Sequence, residues 1–243
     1  MNNPIKTAID TAQRAQRNYD LSKTIPKADL ETLIYAATNS PSKQNETHYS
    51  LKIFTDQKII REIYNNTKLF SLYGKKKDDH KEIFEERNGK FWQDENRSVT
   101  NSQILSNALF VYIDDEGPAR GGTHLLGKQT TNKQSESYIL YKEQKDYSIG
   151  ISTGQLIMSA ALLGYKTGIC SAFNRTNVAK IINAKREVKL LVGIGFENSN
   201  IDRRLHAETL NKEVPEEYRT GSLDEKWRFP SFEKHVKVSI NEI

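Results

Sequence analysis

Residues 149 to 165, IGISTGQLIMSAALLGY, constrain this chain more than any other stretch. A helix here is apolar or small on nearly every side, the pattern of a fully buried helix at the centre of the fold or of a dimer. Gly154, Ser159, Ala160 and Ala161 would let a second helix approach closely. Nothing earlier in the chain looks like it.

The remaining pattern alternates helices and strands. Ile5, Ala8, Ile9, Ala12 and Ala15 recur at helical spacing over residues 4 to 17, with Pro4 suited to a first turn. Leu30, Leu33, Ile34 and Ala37 stripe a second helix that opens at Thr24 or Lys27 and ends before Pro41. The strand YSLKIFTD follows, and Asp56 can cap a short helix carrying Ile59, Ile60 and Ile63. NALFVYIDD, residues 107 to 115, and VKLLVGIGF, residues 188 to 196, are compact apolar runs and hence buried strands. Between them KTGICSAF reads as a strand, and Thr176 as the cap of a helix NVAKIIN.

Four strands with interspersed helices give an α+β or α/β class around one modest sheet. No Pro/Gly/Ser-rich linker divides the 243 residues, so residues 1–243 read as a single domain. Residues 68 to 102 are polar and lysine-rich, a surface helix or two. Residues 116–147 begin with three glycines and a polar tract too long for an ordinary connector, either a mobile lid or a disordered insertion. Residues 211–243 read as an extended C-terminal arm.

The net charge of +5 raises nucleic acid or a phosphorylated small molecule as partners. In GKKKDDHKEIFEERNGK acids interleave with bases, which reads as a solvated helical face and argues against a nucleic-acid module. The one cysteine, Cys170, leaves no internal disulfide framework. No apolar run approaches a membrane span, and the N-terminus lacks the apolar core of a signal peptide. A soluble cytoplasmic protein is the expectation.

The five histidines are scattered, none at ligand spacing with another His or Cys, so no metal site is expected. No G-x-S-x-G elbow occurs. Cys170 reads as a buried small hydrophobe, and GIGFEN lacks the third glycine of a dinucleotide fingerprint. Arginine remains. Arg14 and Arg17 lie three apart, hence on one face at the end of the first helix, and Arg203 and Arg204 follow the last strand. Guanidinium forks suit phosphate oxygens. Alone, the two pairs read as solvated surface cations.

They stand in an ordered set: QRAQRNY (Gln13 to Tyr19), PSKQNETHY (Pro41 to Tyr49), SAALLG (Ser159 to Gly164), SAF (Ser171 to Phe173) and GIGFENSNIDRR (Gly193 to Arg204). In this order the chain resembles the nitroreductase family of FMN-dependent oxidoreductases. The resemblance implies a three-layer α-β-α sandwich, of class α+β, with a central, mainly antiparallel sheet. It also implies a homodimer with two FMN sites at the subunit interface, NAD(P)H as co-substrate, and a nitroaromatic, quinone or related conjugated acceptor.

By the same resemblance Arg17 sits near the flavin pyrimidine, and Arg14, Arg203 and Arg204 hold the phosphate, with Gln13 and Ala15 giving polar or backbone contacts. Pro41, Ser42 and Asn45 form a loop against the flavin. Ser42 and Asn45 also suit an Asx- or ST-type turn. Ser171 and Ala172 present backbone N–H groups to N5 and O4, and no side chain need act as general acid. The chain departs from the family pattern at Gln13, where arginine is common, and at Ala15, where serine is. Thr47-His48-Tyr49 replaces Q-P-W, and Ser171-Ala172 replaces a glycine pair. These changes leave open a flavin-dependent oxidase or dehydrogenase, or a flavin-consuming enzyme, of the same fold.

Overall fold

The computed structural model describes residues 3–42, 45–67, 101–115 and 132–199. The first helix, α1 (Pro4–Ala12), is capped by Asn3, whose Oδ1 accepts the Ile5 N–H at 3.0 Å. It ends a turn earlier than the apolar spacing predicts. Arg14 and Arg17 therefore do not share a helical face: the Gln16 N–H donates to Thr167 O at 2.7 Å, drawing the chain out of the helix and along the sheet. Pro26 precedes α2 (Lys27–Thr38), which buries Leu33, Ala36 and Ala37. Strand β1 (Tyr49–Phe54) leads to Asp56, whose carboxylate accepts the Lys58 N–H at 2.8 Å and starts α3 (Gln57–Tyr64).

Strand β2 (Ala108–Asp114) is buried along nearly its whole length. Helix α4 (Glu136–Leu162) starts at Ser135, whose Oγ accepts the Tyr138 N–H. It ends in a Schellman turn: Gly164 takes a positive φ of 86°, its N–H donates to Ala161 O, and the Tyr165 N–H donates to Ala160 O. That reversal feeds β3 (Lys166–Cys170). The next helix, α5 (Arg175–Ile181), is capped by Asn174 through the Asn177 N–H at 3.1 Å, ahead of the expected Thr176, which lies inside the helix. Strand β4 (Val188–Gly195) completes the sheet.

The four strands lie in the order β1-β2-β4-β3, every neighbouring pair antiparallel. Alternation along β2 divides the core. Leu109, Val111 and Ile113 face Ile60, Ile63 and Tyr64 of α3 and Val178 of α5. Phe110 and Tyr112 face Leu33 and Ala37 of α2 and Ile149, Leu156 and Ala160 of α4. The result is the expected α-β-α sandwich, with α1 packed on α4. Polar groups lock the second layer: Ala37 O accepts from both Tyr49 Oη and Ser152 Oγ, each at 2.6 Å, and Ser152 Oγ pairs with Tyr112 Oη at 2.9 Å.

Within one chain the helix over 149–165 is not fully buried, which leaves the dimer alternative of that expectation. Helix α4 buries Ile149, Leu156 and Ala160, but Tyr147 is 60% exposed, Ile151 47% and Leu162 59%. With Gly154 and Met158 these form one continuous apolar stripe at helical spacing. A helix lying on a sheet can bury only the side turned toward it. The helix also starts earlier than the sequence pattern shows, so residues 136–147 of the proposed insertion are its first turns. Tyr141 is buried there, its ring edge toward His48 at a centroid separation of 6.0 Å. The expected surface helices over 68–100, the glycine-rich part of the insertion, residues 116–131, and the arm at 211–243 lie outside the described residues. Among the described residues no helix is long and apolar enough to cross a membrane.

Candidate functional site

After α1 the chain runs past the end of the sheet as an added, irregular edge. The Gln16 side-chain Oε1 accepts the N–H groups of Arg17 and Asn18 at 2.8 and 3.0 Å, stiffening the segment locally. Tyr19 bridges Glu197, the Asp20 N–H donates to Phe196 O at 2.9 Å, and the Asn198 N–H donates to Asn18 O at 3.1 Å. The buried Tyr19 hydroxyl donates to Gly193 O at 3.2 Å. Burial pushes its phenol well above the usual tyrosine range, while the nearby Arg17 guanidinium pulls the other way. Tyr19 thus stays a neutral donor. These bonds set Gln13, Arg14, Ala15 and Arg17 beside β3 and the end of β4.

A second loop, residues 101–107, lies against the same end. Asn107 ties it down with three bonds: its amide nitrogen donates to Asp20 O and Lys23 O, and its oxygen accepts the Phe196 N–H. Gly193 makes the approach feasible, because a Cβ there would stand 2.2 Å from Gln103 O. The side chain of Gln103 reaches Arg17. Its amide is assigned the orientation that serves two of its three neighbours, with its oxygen accepting from Arg17 Nη2 at 3.1 Å and its nitrogen donating to Ile169 O; the opposite orientation would instead accept from Asn101 Nδ2 at 3.3 Å.

Beside this edge opens a cleft of about 560 Å³, walled by Thr7, Asp10, Gln13, Arg14, Gln16, Lys166 and Glu197. Arg14 and Lys166 bring positive charge, and Lys166 pairs with Glu197 at 3.6 Å. With Asp10 and Glu197 balancing the two cations, the polar walls suit a hydroxyl-rich group better than an aromatic ring, and Arg14 is the cation there that could meet a phosphate. Ser171 and Ala172 follow β3 directly, and no described residue takes up either N–H. The neighbouring Cys170 is buried, its Sγ 3.4 Å from Ala172 O, and burial pushes its thiol up, so it is a packed side chain and not a nucleophile.

The structure does not bring every expected residue together. Pro41, Ser42 and Asn45 precede β1, on the opposite edge of the sheet from β3. Three strand spacings, roughly 14 Å, separate those edges. Ser42 Oγ accepts the Thr47 N–H at 3.2 Å and Ser42 O accepts the Asn45 N–H at 3.1 Å, so Ser42 closes the turn that its residue type also allows. Asn45 sits at φ 58°, a conformation that asparagine tolerates. The loop is anchored through Ser40 Oγ, 3.0 Å from Tyr49 Oη. Arg203 and Arg204 lie outside the described residues.

Gln16, Gln103, Asn107 and Lys166 were not among the residues singled out in the sequence. The signal for Gln103 and Asn107 is the density of amide and hydroxyl side chains in NSQILSN, residues 101 to 107, while Gln16 lies within QRAQRNY and Lys166 opens KTGICSAF.

The donor set fits FMN in its chemistry. Guanidinium, ammonium and amide groups suit a phosphate and a pyrimidine edge, and exposed backbone N–H groups suit ring heteroatoms.

Solved structures share this architecture. A candidate NAD(P)H:FMN oxidoreductase from Staphylococcus epidermidis superposes with a TM-score of 0.55 at 14% identity, covering 87% of this chain and 95% of that one. A BluB-like flavoprotein from Clostridium difficile gives 0.57 at 14% identity, covering 83% and 93%. An iodotyrosine deiodinase bound to FMN and 3-iodo-L-tyrosine gives 0.51 at 15% identity, covering 79% and 90%. At such identities the likeness speaks for the fold alone. No curated protein sequence matches the chain significantly. The family model for the nitroreductase family matches residues 11–196, which span the added N-terminal edge, all four strands and both helical layers, and the chain belongs to that family.

Proposed function

We propose that this chain is an FMN-dependent oxidoreductase that passes two electrons from NAD(P)H to a nitroaromatic, quinone or related conjugated acceptor, working as a cytoplasmic homodimer. The observation that carries this reading is the fixed placement of Arg17 at the end of the sheet, beside the strand that leads into the N–H groups of Ser171 and Ala172. Bound FMN would supply the two-electron redox chemistry that no side chain of this chain can supply.

The residues have separate tasks. Arg17 offers a cation to the pyrimidine edge, where negative charge accumulates on reduction. Arg14, with Arg203 and Arg204, binds the phosphate, while Gln13 and Ala15 contribute polar and backbone contacts. Ser171 and Ala172 donate N–H bonds to the ring. Pro41, Ser42 and Asn45 lie by the opposite edge strand of the sheet from Arg17, which favours a second copy as the source of that loop. The apolar stripe of α4 offers the surface on which two copies would meet. No side chain is required as a proton donor, and rate depends on holding donor or acceptor over the ring. What remains of the insertion ahead of α4, residues 116–135, would cover that face and select the acceptor.

A visible spectrum of the purified protein tests the reading. Flavin absorbance, with FMN released on denaturation, and steady turnover of NADPH with a quinone are expected. A colourless protein that also fails to take up added FMN would overturn it. Changing Arg203 and Arg204 together to Ala should weaken FMN far more than riboflavin, which has no phosphate; equal losses would refute their assigned role.

A further inference from the structure

We infer that Gln103 is a positioning residue: its neutral amide holds the Arg17 guanidinium against the end of β3, setting the cation before any ligand arrives. The flavin part of this inference rests on the proposed function above. Gln103 is buried, and its oxygen accepts from Arg17 Nη2 at 3.1 Å while its nitrogen donates to Ile169 O. The amide therefore bridges a strand backbone and a side chain from the N-terminal segment.

The placement of Gln103 is itself over-determined. Its N–H donates to Asn101 Oδ1 at 3.1 Å, the Asn101 N–H donates to Thr67 Oγ1 at 2.7 Å, and that hydroxyl donates to Tyr64 O at 2.7 Å, at the end of α3. A line of bonds thus runs from α3 to Arg17. Beneath it the sheet is bare backbone. A Cβ on Gly168 would lie 2.7 Å from Gln103 Cβ, and one on Gly193 would lie 2.2 Å from Gln103 O. Larger residues at these two positions would push Gln103 off the sheet.

The chemistry explains why an amide serves here. A carboxylate would hold a guanidinium more tightly but would cancel its charge. A neutral oxygen orients the fork without adding a negative charge of its own beside it.

The test is a double-mutant cycle on Gln103→Met, Arg17→Met and the double variant, with thermal melting and circular dichroism as folding controls. Apoprotein is titrated anaerobically with oxidised FMN and with dithionite-reduced FMN. Gln103→Met should lower the preference for reduced over oxidised FMN by about tenfold, equal to about 30 mV for a two-electron couple. In the Arg17→Met background the same change should have no further effect. Additive losses in the double variant would overturn the inference. If Gln103→Met fails to fold, Gln103→Glu replaces it: this variant keeps an oxygen for Arg17 but cancels its charge, so the preference should fall further, and an unchanged preference would overturn the inference.

A ligand-free measurement separates this inference from the proposed function. The Arg17 Nε–H resonance of the apoprotein should shift or broaden in Gln103→Met. An unchanged resonance would overturn the inference even if FMN binds normally. If the wild-type protein takes up no FMN, the proposed function fails, and the resonance still decides whether Gln103 holds Arg17.

Discussion

Gly193→Ala should be one of the most damaging single-methyl additions to this fold. Gly193 lies in the central strand pair, opposite Leu109 on β2 and Gly168 on β3. The added Cβ would meet Gln103 O at 2.2 Å, Ser106 Oγ at 2.9 Å and Ser106 Cβ at 3.0 Å. The first of these is a backbone atom and cannot rotate away. Relieving it requires the loop over 101–107 to lift by more than about 1 Å, given ordinary contact distances near 3.5 Å. The loop is held by the Gln103 N–H bond to Asn101 and by Ser106 Oγ, which donates to Ala108 O at 2.8 Å. Overpacking of about 1–3 kcal/mol, with one or two weakened bonds near 1 kcal/mol each, gives a loss of about 3 kcal/mol. For a chain of this size that lowers the melting temperature by roughly 6–12 °C.

The matched control is Gly150→Ala in α4, where nothing lies within 4 Å of the added Cβ and helix propensity favours alanine by up to about 1 kcal/mol. Thermal melting of both variants, followed by circular dichroism, reads the difference. A Gly193→Ala melting temperature within about 2 °C of wild type would refute the close approach of loop and sheet.

Ser152→Ala should cost about 1–3 kcal/mol in urea titrations, because it removes a donor from Ala37 O and the partner of the buried Tyr112 hydroxyl. An unchanged midpoint would mean that this hydroxyl network contributes nothing. Asn174→Ala should cost about 1 kcal/mol through loss of the α5 cap, whereas Thr176→Ala, inside the helix and exposed, should cost only a few tenths. Equal effects would contradict the observed cap.

Local pattern made most elements legible. Strands β2 and β4 are continuous apolar runs, and α3 announces itself through Asp56 and three isoleucines. Where propensity and tertiary bonding compete, pattern failed. The alanines at 12 and 15 extend the helical spacing past the end of α1, but the Gln16 bond to Thr167, a partner 151 residues away, ends the helix. The family motifs pointed to Arg14 and Arg17, yet not to Gln103, because an amide in a polar loop has no periodicity and acquires its role from neighbours distant in sequence.

By itself the sequence determined the class, the strands and the family, since side-chain alternation and ordered motifs are local properties of the chain. Only the tertiary structure decided which face of α4 stays exposed, that Ser42 and Asn45 stand by the opposite edge strand from Arg17, and that Gln103 meets Arg17. Each of these depends on strand order and on close backbone approach between segments far apart in sequence, and neither is written in any single window of residues.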